Sequence, residues 1–309
     1  MRKSLLIIVF TSLLSISGFG QYNLDYGFSV GASNYLGELG GGEGVGRGFI
    51  SDMEIGFTRW TLGGFVRYKL SPKIAIKGSL NYIRLSGDDV KSTNPARTAR
   101  NLNFKNDMFE FIGTGEFYIY RANDVGGTGR YNTDFNLYLF GGAGVFFSSP
   151  KGQSSTGEWV SLKPLATEGA SYSSINLAIP MGIGFYYTLQ RKYRLGIEIG
   201  WRTTFTDYID DISNRYVNDE DGISNKTSQS ILDDINANSG LEQGDEGYLT
   251  SDYFQAGSRR GNPDNNDSYM TATVNFSWAI RGKSKFYKSR HSWVLGKKKR
   301  RRRKSRAKF

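Results

Sequence analysis

Few residues in this 309-residue chain have the means to do chemistry. It has no Cys, which excludes thiolate nucleophiles, thiolate metal sites and disulfides. The commonest general base near neutral pH is His, and the single one, His291, sits in a basic C-terminal run. No Ser-centred or paired-carboxylate motif substitutes for it. Asp219-Glu220-Asp221-Gly222 is acidic enough to attract Ca²⁺ loosely but lacks the spaced ligands of a calcium loop, so it reads as a solvated acidic loop. What remains is a set of ionisable residues at the polar positions of alternating stretches: Asp25, Arg67, Lys77, Glu110, Glu116, Arg194, Glu198 and Arg202. Acids and bases balance in this set. It reads as a packed, mutually neutralising network, with an active site or ion path as the rival reading. No catalytic residue, cofactor or metal is expected.

The elements that must position these residues are strands. Side chains alternate between the two faces of a strand, and period-two patterns run through 22–32, 61–69, 74–82, 109–119, 135–147, 175–189, 193–205 and 270–280. In 74–82, for example, Ile74, Ile76, Leu80 and Tyr82 oppose Lys77, Ser79 and Asn81. Segments of about ten residues suit tilted strands crossing a bilayer. A soluble sandwich alternates too, but it buries its apolar face. Aromatics near one end of the segments, Tyr22, Tyr68, Phe117, Tyr187, Tyr193 and Trp278, read instead as an interfacial girdle. The fold class predicted is all-β: a closed antiparallel transmembrane β-barrel of eight strands. Such a barrel is just wide enough for its own side chains, so no open pore is expected. Pro180 lacks a ladder donor and predicts a bulge or local break.

The connections alternate in length, with 70–73, 190–192 and a longer Gly-rich 121–134 on one side. The other side carries 36–54, 86–103, 148–173 and 206–268. Short turns belong to the periplasm and long loops to the outside, so both termini are expected in the periplasm. The loop 206–268 holds 14 acidic and four basic residues and reads as mobile. Residues 1–20 read as a secretory signal: Arg2 and Lys3, an apolar Leu5–Leu14, then Gly18 and Gly20 before Gln21.

The net charge of +11 is concentrated in one place. Residues 281–309 carry 15 Lys or Arg and no acid, whereas 21–280 carry 23 basic and 29 acidic residues. The expected organisation is therefore a signal (1–20), a barrel (21–280) and a basic periplasmic tail (281–309). Export argues against nucleic acid. Trp293 and the run Lys297, Lys298, Lys299, Arg300, Arg301, Arg302, Arg303 and Lys304 suit an anionic partner: lipid headgroups, peptidoglycan carboxylates or an acidic protein. A disordered solubilising tail is the plainer reading.

Four stretches carry a family resemblance: Gly31-Ala32-Ser33-Asn34-Tyr35-Leu36-Gly37-Glu38-Leu39; Arg100-Asn101-Leu102-Asn103-Phe104; Trp159-Val160-Ser161-Leu162-Lys163-Pro164-Leu165-Ala166-Thr167-Glu168-Gly169; and Glu198-Ile199-Gly200-Trp201-Arg202 running on through Thr206-Asp207-Tyr208-Ile209-Asp210-Asp211-Ile212-Ser213. Together they resemble the PorG-like outer-membrane barrels of the Bacteroidota. The resemblance implies a non-enzymatic outer-membrane subunit of the type IX secretion system, which in gliding bacteria also serves motility. It further implies that the barrel anchors a periplasmic ring built from a lipoprotein and its partner subunit. An OmpA-like barrel tethered by its tail to peptidoglycan or anionic lipid is the alternative, and a barrel enzyme a more distant one.

Overall fold

The computed structural model describes residues 24–39, 55–123, 125, 133–217, 223 and 225–280. The signal, Tyr22, the acidic 219–222 run and the basic tail with Trp293 and Lys297–Lys304 lie outside the described residues.

Ten strands form: β1 (Leu24–Leu36), β2 (Arg59–Lys69), β3 (Ile74–Asp88), β4 (Asn103–Ala122), β5 (Thr133–Phe147), β6 (Pro150–Gln153), β7 (Trp159–Ser161), β8 (Ile175–Leu189), β9 (Tyr193–Thr204) and β10 (Ser268–Ile280). All pairings are antiparallel. β1 to β5 and β8 to β10 close on themselves, since β3 pairs β4 and β1 pairs β10. The result is a closed eight-stranded barrel, and closure satisfies every strand edge, which a lipid-facing sheet requires. β6 and β7 form a hairpin that extends the sheet where β5 has left β4: Phe104–Asn106 pair with Gly152–Pro150.

Leu24 lies opposite Ile280, so both ends of the described barrel meet at the short-turn end. The β8–β9 link there is a tight turn in which Lys192 N–H donates to Leu189 O (3.0 Å) and Gln190 and Arg191 have φ of 50° and 57°. Pro180 interrupts one ladder only. Pairing with β5 lapses between Met181 and Ala178 while pairing with β9 runs through unbroken, so the expected break is present without a register slip. A bulge occurs instead in β4, between Tyr118 and Tyr120.

The outward face carries a band of exposed apolar side chains, among them Val30, Leu62, Leu80, Phe111, Leu139, Ile183, Ile197 and Val274. Aromatics border it at both ends. Tyr26 stacks on Trp278 near the turns (5.9 Å), and Trp60 stacks on Tyr82 near the loops (4.9 Å). Eight residues separate Tyr68 from Trp60, and Phe117 from Phe109. At about 3.4 Å per residue and a tilt of about 40°, that is a belt roughly 20 Å tall, of the order of a bilayer's apolar core. No helix among the described residues is long and apolar enough to cross a membrane. The chain crosses with strands.

Beyond the loop-side girdle the hydrophobic phase inverts. On β3 the exposed apolar positions end at Leu80 and the half-buried Tyr82, and the buried apolar residues become Ile83 and Leu85. On β4, Phe109 is exposed while Met108 and Phe104 are buried, and on β5 Phe147 is exposed while Phe146 is buried. Below the inversion the apolar face meets lipid. Above it, the strands stand in water and enclose an ordinary hydrophobic core.

Candidate functional site

The inward face is assembled from both large and small residues. Gly184 provides room for Tyr138, whose ring atoms would lie 2.5 Å from a Cβ there. Into this lumen point all eight ionisable residues predicted from the alternation, and all are buried. Nearest the turns, Arg67 donates from Nε to Glu116 Oε1 (2.8 Å), from Nη1 to Asp25 Oδ2 (3.3 Å) and from Nη2 to Tyr138 OH (3.3 Å). Its guanidinium also lies over the rings of Phe65, Tyr138 and Tyr186. Arg194 and Ser277 complete the shell of Asp25. In the middle, Lys77 Nζ meets both oxygens of Glu198 (2.6 Å each), and Tyr138 donates to the same carboxylate (2.8 Å). Nearer the loops, Glu110 accepts from Tyr269 (2.7 Å), Asn81 (2.8 Å) and Arg202 (3.4 Å). A charge buried this deeply is tolerated only when paired and hydrogen-bonded. The open space left between Lys77, Glu198, Thr114 and Thr271 is about 20 Å³, on the scale of a water molecule.

A second seal closes the loop end. Residues 206–213 turn into the mouth and bury Ile209 and Ile212 in a core with Tyr35, Leu39, Ile83, Leu85, Leu102, Phe104, Met108, Phe146 and Tyr269. Inserting backbone into a barrel costs the hydrogen bonds it had with water, and side chains of β4 and of the surrounding loops replace them. Ile209 N–H donates to Asp267 Oδ2 (2.8 Å), and Ile209 O accepts from Asn106 Nδ2 (2.7 Å). Glu168 accepts from Ser213 N–H (3.0 Å) and Asn214 N–H (2.8 Å). Arg260 binds Glu168 (2.9 Å) and Asp211 O (2.5 Å). Thr167 and Tyr172 donate to the Asp211 carboxylate, and Asp211 itself has a φ of 71°. Arg100 grips Asp89 with Nε and Nη2 (2.7 and 3.0 Å) and reaches the carbonyls of Arg260 (2.7 Å) and Glu38 (3.0 Å).

Carboxylates crowd behind this plug. Tyr35 OH donates to Asp267 Oδ1 (2.5 Å), and Glu38 Oε1 accepts from Asn262 N–H (2.6 Å). Burial pushes Asp207 and Asp210 up to about 8; the charges of Asp210 and Glu38 add to the shift of Asp207, and that of Glu38 to the shift of Asp210. Burial, then Asp210 and Asp207, raises Asp267 well above the carboxylate range. Protonated acids fit this packing. Among the described residues no group of acidic or His side chains is arranged to hold a metal ion.

The expectation of a mobile 206–268 loop is wrong over its described residues. Helix α1 (Pro95–Arg100), capped by Asn94, and helix α2 (Gln229–Ser239), capped by Ser228 and ended by Gly240 at φ 66°, pack in this cap. Leu232 of α2 is buried with Ala99, Tyr216, Leu249 and Phe254, and the Asn236 amide bridges both backbone groups of Leu249 (2.8 and 2.9 Å). Acidic composition misled because several of the acids serve inside the cap: Asp210, Asp245 and Asp267 accept from backbone N–H groups, and Asp211 accepts from Thr167 and Tyr172. Sequence reasoning also missed Asn106, Asp267, Arg260 and Asp89. The phase inversion at Tyr82–Ile83 and Met108–Phe109 was the available sign that a core sits above the membrane.

The chain is similar in structure to the attachment invasion locus protein Ail of Yersinia pestis, seen in complex with the heparin analogue sucrose octasulfate (8% identity, 83% of this chain and 98% of that one, TM-score 0.32). It is similar also to the N-terminal barrel domain of Pseudomonas aeruginosa OprF (8%, 84% and 100%, 0.35) and to Acinetobacter baumannii CarO2 (12%, 82% and 99%, 0.25). No curated protein matches it in sequence. The model of a domain of unknown function, DUF6089, matches residues 3–224, a span that includes β1 to β9 and the plug, and the chain belongs to that family.

Proposed function

We propose that this chain is a non-enzymatic outer-membrane barrel of a type IX protein secretion machine, anchoring a periplasmic ring of a lipoprotein and its partner subunit. The observation that carries the reading is the double seal. A lumen whose charges pair with one another and a mouth closed by 206–213 suit a scaffold better than a conduit or an enzyme. The resemblance to PorG-like barrels supports the specific machine. Its stretches in 31–39, 100–104, 159–169 and 206–213 all contribute to the one cap, and 198–202 continues it into the lumen. Short turns on the side of Leu24 and Ile280 support periplasmic termini and a periplasmic tail.

The test is co-purification from detergent extracts of full-length chain and of chain truncated after Arg281, at low and high salt. Ring subunits should accompany the full-length barrel, and fewer should accompany the truncated one. Exposed charge pairing is screened over about 8 Å at physiological salt, so recovery should fall as salt rises. Recovery of no ring subunit under any condition overturns the assignment. The OmpA-like alternative is favoured by the +15 tail. It predicts capture of the full-length chain by purified peptidoglycan or anionic vesicles in the absence of any protein partner.

A further inference from the structure

Above the loop-side girdle, the inverted phase leaves polar side chains outward, and in one sector they are cationic. Arg84 on β3 faces outward over the Trp60 ring (5.4 Å) and is held by Asp107 through Nε (2.6 Å) and Nη2 (3.1 Å). On the next level Lys105 of β4 lies directly opposite Lys151 of β6 in the sheet register. Lys105 Nζ rests 4.0 Å from the centre of the exposed Trp159 ring. Like charges directly opposed across strands are destabilising. Among the described residues the carboxylate that acts on Lys105 is Asp107, and Arg84 already occupies it. By contrast, β8 presents the exposed Ile175 and Leu177 at its loop-side end, and Phe205, just past β9, is exposed as well.

Lys105 is four residues above Phe109, about 10 Å along the barrel axis at a rise of about 3.4 Å and a tilt of about 40°. An ammonium at that height stays wet at the outer edge of the headgroup layer, which adds roughly 5–7 Å to each side of the hydrocarbon core. Among the described residues this surface therefore has two cations beyond the pair Arg84–Asp107, an indole beside them and the height of lipid headgroups.

We propose that Lys105 and Lys151, with Arg84 below them, bind the phosphate of a phosphorylated glycolipid in the leaflet that meets the loops. This rests on the outer-membrane reading, in which loops face outward and that leaflet is built of lipid A-type molecules. Charge complementarity favours it: a phosphate monoester supplies the anion that the opposed lysines lack among the described residues, and Trp159 packs beside its sugar.

The test uses full-length chain in detergent micelles and in bilayer nanodiscs, with bisphosphorylated lipid A as the probe. Its dephosphorylated form and inorganic phosphate serve as separate arms. The Lys105→Gln/Lys151→Gln double variant is compared with wild type and with Lys192→Gln, which removes a cation at the opposite girdle. Lipid A should bind the wild type and Lys192→Gln alike, and the double variant at least tenfold more weakly. The dephosphorylated probe should show the same loss on wild type. Equal affinity of the double variant overturns the site, as does an equal loss in Lys192→Gln. Binding of inorganic phosphate with the same lysine dependence and no preference for the lipid overturns the lipid assignment. Heat-modifiable gel migration of each variant reports folding. A wild type that neither shifts on the gel nor enters nanodiscs refutes the barrel's membrane role itself, whereas a wild type that inserts without selecting lipid A refutes only this site.

Discussion

Replacing Arg67 with Met removes the cation that joins the deepest part of the lumen while roughly keeping its length. Arg67 is 2% exposed and holds two carboxylates at once. After substitution Asp25 keeps Arg194 and Ser277, but among the described residues Glu116 keeps only the hydrogen bond from the Tyr118 hydroxyl (2.9 Å). Breaking a buried pair by deleting one member costs about 3–5 kcal/mol, because the other charge is stranded away from water. The folded-to-unfolded ratio should therefore fall more than about a hundredfold. The double variant Arg67→Met/Glu116→Gln removes the stranded charge and should recover at least half of the loss. The assay is urea unfolding of the refolded barrel in micelles, followed by Trp fluorescence and by the mobility of unboiled samples on a gel. A loss below about 1 kcal/mol, in the range of an exposed pair, would refute the network as described. So would a double variant no more stable than Arg67→Met.

Other consequences are open to measurement. Leu80 and Val90 are equally exposed, at 59% and 58%, but Leu80 lies in the belt and Val90 above it. Leu80→Arg should cost about 2–4 kcal/mol in bilayer-folded protein and Val90→Arg less than about 0.5, and equal costs would misplace the membrane. Asp207 and Asp210 titrate near 8 in the folded cap against about 4 unfolded. The folded state binds the extra protons, so their stabilisation is complete below about pH 4 and is lost as pH rises through about 8. Hydrogen exchange across 206–213 should accelerate over that window, and Asp210→Asn should flatten the trend; exchange that slows as pH rises, once corrected for intrinsic rates, would contradict it. Gln190 holds a left-handed conformation that Asn accepts more readily. Gln190→Asn should raise stability by about 0.5–1 kcal/mol in the same urea assay, and a destabilisation would show that the Gln side chain makes a needed contact.

The parts of this molecule legible in the sequence are those governed by one local rule. Where a strand has lipid on one side and a narrow lumen on the other, period two reveals the faces, and Asp25, Glu110 and Arg202 fall inward by parity alone. The rule stops where the barrel leaves the membrane. Ile83, Leu85 and Met108 are apolar yet inward, so the segments at 74–82 and 109–119 ended at the inversion although β3 and β4 continue to Asp88 and back to Asn103. The plug was illegible for a different reason. Thr206–Ser213 is a polar, aperiodic stretch whose order comes from Asn106, Glu168, Arg260 and Asp267, residues remote in sequence. No local pattern encodes such partners. The β4 bulge at Tyr118–Tyr120 leaves no mark in an already aromatic run.

The claim that the barrel is a sealed scaffold is tested most directly by electrical recording. Purified full-length protein, shown to be folded by its gel shift, is inserted into planar bilayers and held under applied voltage. A lumen filled by mutually paired buried charges, below a plug that buries Ile209 and Ile212, predicts no steady channel conductance. Discrete, reproducible conductance steps from the intact wild-type protein would contradict it.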